Sequence, residues 1–313
     1  MNQNTNPSFN LSCGLLHLPS PPEFYKAIDW YTFPIAGLPF LLRNIISLQR
    51  SGLHELIIYI ETSQEEIDTL ALAIKKDSRV IAKTQWASNP KQLKENLNNR
   101  KNKVLIFNGS NLYDKKIVCS TLKTFIQQEA STSKALSISK DELEALIAII
   151  RRNNANDLTD IQDRIPSFKY ISASATANVK VQEDFNIQHE RLLAGSGQNH
   201  DSPITRLLSR PVSQKMTRLF LNTTISPNQI TLFSFAMGLG SAICFTEGTY
   251  LMNILGGLFL LFSTWVDGAD GEIARLKFME TEIGGKLDII CDNIVHFFVF
   301  GAIGWGASKA TGE

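Results

Sequence analysis

From Leu38 to Arg50 the apolar side chains Leu38, Leu41, Leu42, Ile45, Ile46 and Leu48 recur at helical spacing, with Pro39 near the start and Gly52 past the end. That pattern predicts a helix. The next apolar run, Leu56-Ile57-Ile58-Tyr59-Ile60, is unbroken and reads as a strand buried on both faces. Ser63, with Glu66 three residues on, forms a capping box at the start of another helix. Val80-Ile81 and Val104-Leu105-Ile106-Phe107 read as further short buried strands, and Ser139 opens an amphipathic helix through Leu143, Leu146, Ile149 and Ile150. Helix alternating with strand predicts an α/β domain around a mostly parallel sheet, over residues 21–195. Residues 1–20, polar and rich in Asn, Ser and Pro, read as a flexible N-terminus without the apolar run of a secretory signal.

The pattern then changes. The stretch from Leu193 to Asp201 is polar and contains Gly195 and Gly197, as a linker would. From Pro203 to Asn222, Arg206, Arg210, Lys215 and Arg218 alternate with Leu207, Leu208, Met216, Leu219, Phe220 and Leu221, a basic amphipathic helix suited to a membrane surface. Residues 196–222 thus form a linker and interfacial helix. Beyond them, Ser226 to Val266 contains one charged residue, Glu247. Apolar segments at Ile230 to Phe245, Leu251 to Val266 and Ile289 to Trp305 predict three transmembrane helices in an all-α unit over residues 223–313. Arg206 to Arg218 precede the first span, and Arg275, Lys277 and Lys286 lie between the second and third, so both regions are expected on the cytoplasmic side.

Composition adds exclusions. Against 31 basic residues stand 30 acidic ones, a net charge of +1, so there is no chain-wide field for nucleic acid. Cys13, Cys119, Cys244 and Cys291 are far apart, with no spacing for zinc or a disulfide framework.

The candidate chemistry sits where the second span ends and the third begins. Asp267-Gly268-Ala269-Asp270-Gly271-Glu272-Ile273-Ala274-Arg275 is followed by Gly284-Gly285-Lys286-Leu287-Asp288-Ile289-Ile290-Cys291-Asp292. Each pair of aspartates shares a helix face, and a short hairpin would bring the faces together. Like charges that close need a cation, and oxygen ligands without His or Cys favour Mg²⁺ or Mn²⁺. Gly271 and Gly284 leave room for a close approach, and Arg275 can fork onto a phosphate.

These residues carry every fixed position of the signature of the CDP-alcohol phosphotransferase (phosphatidyltransferase) family, and Ile225-Ser226-Pro227-Asn228-Gln229-Ile230-Thr231 is similar to that family's entry to its first span. The resemblance covers residues from about Pro203 onward. It implies transfer of a substituted phosphate from a CDP-alcohol donor to an acceptor alcohol with release of CMP, in phospholipid or polyol phosphodiester synthesis. It further implies a homodimer in the inner cell membrane, with about six spans and the active site on the cytoplasmic side. Asp267, Asp270 and Asp288 would hold the metal ions, with Asp292 as a further ligand or as the general base. Gly271, Ala274, Arg275, Thr281 and Gly284 would contact the CDP moiety, joined by Asn228 and Thr231. His296, one turn past Asp292, is placed between lining the acceptor pocket and packing between helices, with packing favoured. A non-enzymatic membrane anchor carrying an α/β interaction domain is the alternative.

In the first domain, Pro34-Ile35-Ala36-Gly37-Leu38-Pro39 resembles the Pro-Val-Ala-Gly-x-Pro stretch of sugar-nucleotide nucleotidyltransferases. Fusion of such a domain to the membrane unit resembles the bifunctional inositol-phosphate cytidylyltransferase and di-inositol-phosphate-phosphate synthase proteins. The parts such an activity needs are absent: Cys13 to Tyr31 holds a single glycine, Gly14, Trp30 stands where the lysine belongs, and Ser110 replaces the aspartate after Gly109. No second metal aspartate stands near Asn178 to Lys180. A nucleotidyltransferase-like fold without its catalysis is the expectation.

Overall fold

The computed structural model describes residues 13–98, 104–130, 138–152, 165, 167–171, 173, 177–197 and 210–311. They fall into two compact units, Met1–Gln188 and His189–Glu313.

The first unit opens with strand Gly14–His17 (β1) and helix Ala27–Tyr31 (α1). A hairpin follows, Pro34–Ile35 (β2) and Leu38–Pro39 (β3), leading into helix Phe40–Arg50 (α2). Then come Glu55–Tyr59 (β4), Gln64–Lys75 (α3), Lys83–Ala87 (β5), Pro90–Asn98 (α4), Val104–Asn108 (β6), Lys115–Ala130 (α5), Lys140–Arg152 (α6) and Phe168–Ile171 (β7). Five strands form one parallel sheet in the order β5-β4-β1-β6-β7. The α/β reading of the sequence holds. One face of the sheet, through Leu15, Ile57 and Ile106, packs on Leu93 and Leu97 of α4 and Leu143, Leu146 and Ile150 of α6. Each such side chain contributes about 1.5–3 kcal/mol on full burial. Ser63 and Ser139 both cap their helices, accepting from the backbone N–H groups of Glu66 and Glu142; Ser139 N–H completes a box by donating to Glu142 Oε2, whereas the Glu66 carboxylate accepts from Thr62 Oγ1.

Three expectations need correction. Residues 1–20 are not uniformly flexible: residues 1–12 lie outside the described set, but Gly14–His17 is the central strand, register-paired with both Leu56–Tyr59 and Leu105–Asn108. Cys13-Gly14-Leu15-Leu16-His17-Leu18 is a short apolar run that the polar composition around it masked. The strand near Val80-Ile81 is displaced to Lys83–Ala87, and Ile81 is 83% exposed. As the sheet edge, β5 pairs on one side alone and tolerates the polar run Lys-Thr-Gln. The linker begins later than Leu193, because helix Gln182–Gly195 (α7) runs to Gly195; residues 198–209, including Arg206, lie outside the described set.

In the second unit the basic helix spans Arg210–Leu221, and three helices long and apolar enough to cross a membrane follow: Pro227–Thr246, Tyr250–Leu276 and Glu282–Thr311. These are the first, second and third spans. Ser226 caps the first through a complete capping box with Gln229, and Pro227 stands at its first turn. The second and third spans are longer than their apolar cores, so both aspartate pairs lie inside helices. The second ends with Phe278 in the left-handed region (φ 55°), where Phe278 N–H donates to Arg275 O and Met279 N–H to Ala274 O. This Schellman arrangement turns the chain within five residues, from Lys277 to Thr281. Thr281 then caps the third span, its hydroxyl accepting from Gly284 N–H at 3.0 Å.

Small residues bring the spans together. Ser241 Oγ donates to Gly256 O (2.8 Å) and Ser263 Oγ to Ser234 O (2.6 Å), while Gly238 faces Val295 and Gly306 lies against the carbonyl of Phe245.

Candidate active site

The hairpin sets the two aspartate pairs against each other. One carboxylate oxygen from each of Asp267, Asp288 and Asp292 lies within 4.8 Å of the others, the spacing of ligands around one cation. Asp270 stands aside: its Oδ2 accepts a hydrogen bond from Thr231 Oγ1, and the residue is buried. Ser234 Oγ, one turn along the first span, donates to Asp267 Oδ1 at 3.3 Å. Asp288 Oδ1 is buried with no hydrogen-bond partner. Three converging carboxylates, one with an orphaned oxygen, fit a hard divalent cation.

Two cavities meet at this trio. The larger, of about 220 Å³, is lined by Asn228, Thr231, Asp270, Gly271, Ala274, Arg275, Thr281, Gly284 and Asp288 among others. All seven residues singled out for the CDP moiety are thus gathered around one pocket with two of the aspartates. Gly284 is needed there, since a Cβ would sit 3.0 Å from both Asn228 Oδ1 and Thr281 Oγ1. The smaller cavity, of about 100 Å³, lies on the other side and is lined by Ser234, Ser263, Asp267, Cys291, Asp292 and His296. His296 is exposed and lines this cavity, where packing between helices had been favoured.

Sequence reasoning missed Ser234, Ser263 and Glu272. The signal for Ser234 was present: Thr231 and Ser234 are polar, three apart, in an otherwise apolar span, and so share a face. Glu272, within the aspartate segment, is 4% exposed, accepting hydrogen bonds from Thr217 Oγ1 (2.7 Å) and Ser213 Oγ (3.5 Å) of the basic helix.

The first unit offers a contrasting picture at the carboxyl ends of its strands, where open parallel sheets bind ligands. The segment after β1 is Leu18-Pro19-Ser20-Pro21-Pro22, whose prolines offer no N–H to a phosphate. The ends of β1 and β6 lie close together: Gly109 N–H donates to His17 O at 2.6 Å, and a Cβ at Gly109 would fall 2.8 Å from that same oxygen. Trp30 is 3% exposed and edge-on to Phe185, ring centroids 4.8 Å apart, within a group that includes Tyr25 and Phe33. Ser110 and Asn178 belong to two segments stitched together by Leu112 N–H to Ala177 O and Val179 N–H to Ser110 O. Arg43, buried in α2, donates to Ile35 O (3.1 Å) and Ala36 O (3.0 Å), so the Pro-x-Ala-Gly stretch is a braced hairpin, with Ala36 (φ 47°) and Gly37 (φ 78°) at its turn.

Comparison with known proteins agrees with the helical unit's geometry. Residues 224–310 match the family described as CDP-alcohol phosphatidyltransferase. The chain is 33% identical over 138 residues to a bifunctional IPC transferase and DIPP synthase from Archaeoglobus fulgidus, covering 43% of this chain and 26% of that protein. With the protein of the same name from Aquifex aeolicus it shares 35% identity over 103 residues, 33% of this chain and 23% of that one. It is also 33% identical over 108 residues to a phosphatidylinositol phosphate synthase from Corynebacterium glutamicum, covering 34% of this chain and 46% of the other. The matches therefore span less than half the length of each of these relatives.

Proposed function

Because the helical unit belongs to the CDP-alcohol phosphatidyltransferase family, we propose that it transfers a substituted phosphate from a CDP-alcohol to an acceptor alcohol and releases CMP. The observation that carries this reading is the carboxylate trio joining two cavities, Asp288 lining one and Asp267 and Asp292 the other. A two-substrate phosphoryl transfer needs that layout: donor and acceptor on opposite sides of one charge-stabilising centre.

In this reading the larger pocket receives the CDP moiety, with Arg275 on its phosphates, Thr281 and Asn228 at its rim, and Gly271 and Gly284 giving clearance. Asp267, Asp288 and Asp292 hold Mg²⁺ or Mn²⁺, with Asp270 completing the set from the position Thr231 fixes. The ion supplies charge stabilisation to the pyrophosphate. The acceptor hydroxyl enters through the cavity of His296 and Ser263, and Asp292 takes its proton. The acceptor oxygen bonds to the phosphorus that carries the donor alcohol, the bond from that phosphorus to the CMP oxygen breaks, and CMP leaves. The relatives' names make inositol phosphate the first acceptor to screen. The reaction takes place at the cytoplasmic face of the inner membrane, in a homodimer, toward a phospholipid or polyol phosphodiester.

The α/β unit has a docking or regulatory role in this scheme, since the proline-rich loop after its first strand offers few N–H groups to a triphosphate and Trp30 and Ser110 stand in place of the lysine and aspartate such chemistry uses. The test supplies full-length protein in membranes with a panel of CDP-alcohols, CDP-diacylglycerol and CDP-inositol among them, each combined in turn with acceptor alcohols beginning with inositol phosphate, and follows CMP. Release that requires Mg²⁺ or Mn²⁺ and stops in chelator is expected. Undiminished release in chelator would overturn the metal assignment, and no release with any donor would overturn the transferase reading.

A further inference from the structure

Glu272 stands in the middle of the aspartate segment yet belongs neither to the trio nor to either cavity lining. Its carboxylate is buried on the second span against the basic helix, held by Thr217 and Ser213. Both partners are hydroxyls, and an amide at this position would still bond to both, its oxygen accepting from one and its N–H donating to the other. What a carboxylate alone adds is negative charge, and burying that is costly unless a cation answers it. The cation within reach on its own helix is Arg275.

Arg275 is three residues on, on the same face of the helix. Its Nε donates to Ser196 O at 2.6 Å, and its Nη1 lies 3.2 Å from where a Cβ on Gly271 would be. The guanidinium therefore lies back over Gly271, at the pocket it shares with Thr231, Asp270 and Asp288. A long side chain held at one end by a carbonyl and biased by a fixed neighbouring charge has lost its rotamer freedom before any ligand arrives.

We propose that Glu272 is a positioning residue: its buried charge, locked by Thr217 of the basic helix, holds the Arg275 guanidinium over Gly271 in readiness for the donor's phosphates. The inference rests on reading that pocket as the donor site. It also gives the basic helix a task beyond lying on the membrane, since Thr217 and Ser213 orient the carboxylate.

The test uses the full chain in detergent micelles, with CDP and Mg²⁺ as the calorimetric probe and Mn²⁺ binding, by electron paramagnetic resonance, as the control for an intact aspartate trio. Glu272→Gln is expected to weaken CDP binding by about fivefold to tenfold with Mn²⁺ affinity unchanged, and Glu272→Asp to stay within about threefold of wild type. In an Arg275→Ala background, Glu272→Gln should have no further effect, because the residue acts through that arginine. Wild-type affinity in Glu272→Gln, or losses that simply add in the double variant, would overturn the positioning role alone. If Glu272→Gln also loses Mn²⁺, the helices have come apart and Glu272→Asp decides: near-wild-type CDP binding supports the role, and a loss equal to that of Arg275→Ala with Mn²⁺ intact rejects it. A wild-type chain that binds no CDP would overturn the donor-pocket reading and this inference with it.

Discussion

Asp288 Oδ1, buried without a hydrogen-bond partner, pays a penalty of about 1–3 kcal/mol or more as long as nothing satisfies it. Asp288→Asn is therefore expected to weaken Mn²⁺ binding by at least about tenfold and to raise the melting temperature of the metal-free protein, because it removes one of three mutually repelling charges. Equal or lower stability of the metal-free variant would argue against stored repulsion. Asp292→Asn should lower kcat for CMP release by about 10²–10⁴-fold if it is the base. The sequence reading identifies all four aspartates but puts Asp267, Asp270 and Asp288 on the metal with Asp292 as a further ligand or base, whereas Asp267, Asp288 and Asp292 are the three that converge. Three residues along a helix is a rotation about 60° short of a full turn, enough to send Asp270 to Thr231 while Asp267 faces Asp288 and Asp292. In the first unit His17 is buried neutral, its imidazole pushed from the ordinary 6.5 down to about 4 by burial, against an opposing pull from Glu61. The unfolded state then binds more protons between those values, so this contribution is whole above pH 6.5 and lost as pH falls toward 4. Roughly 3 kcal/mol is at stake. Hydrogen exchange of β1 in the full chain, corrected for intrinsic rates, should show that loss, and His17→Leu should abolish the slope.

At the scale of elements, the third span meets the turn after the first through bare backbone. Gly248, at φ 66°, faces the carbonyl of Gly306, and Gly306 faces that of Phe245. Gly306→Ala is expected to destabilise the helical unit by about 1–3 kcal/mol, read as a lower melting temperature in detergent. Gly304→Ala, on the same helix with nothing within 4 Å of its would-be Cβ, should be neutral or slightly stabilising. What was legible in the sequence at this scale follows the strength of periodicity. The strand Leu56–Ile60, helix α2 and the three spans announce themselves because burial dictates every position. An edge strand such as β5 buries little and is written in Lys, Thr and Gln, so Val80-Ile81 beside it looked the better candidate. The strand β1 has four residues flanked by Asn, Ser and Pro, and only its partners β4 and β6 explain it. Span ends were misjudged for a different reason: hydropathy stops at the first charge, whereas the helix continues through Asp267, Asp270 and Glu272 because these side chains find partners within the bundle.

For the whole molecule the deciding quantity is on which side of the bilayer each unit lies. Three candidate spans with connections at residues 247–249 and 277–281 fix a parity: whatever precedes the first span shares a side with the second connection, and opposes the first. Lys/Arg counting predicts that the shared side is the cytoplasm, since Arg210, Lys215 and Arg218 precede the first span while Arg275, Lys277 and Lys286 flank the second connection. The turn between the first two spans carries Glu247, which pairs with Lys309 at 3.1 Å and adds no net positive charge there. On that expectation the proposed CDP pocket opens to the side where nucleotides are made. Cysteine accessibility in intact cells tests the arrangement, but the reporter position matters. Lys277 is unsuitable, being buried with its Nζ donating to Thr223 O at 2.8 Å. Glu282, exposed at the start of the third span, and Thr249, in the opposite connection, are better choices. In a background whose own cysteines are replaced, Thr249→Cys should react with an impermeant maleimide from outside, and Glu282→Cys only after permeabilisation. The reverse pattern would invert the topology and move the CDP pocket away from the nucleotide pool. Reaction at both sites in intact cells would mean that the second helix does not cross the membrane.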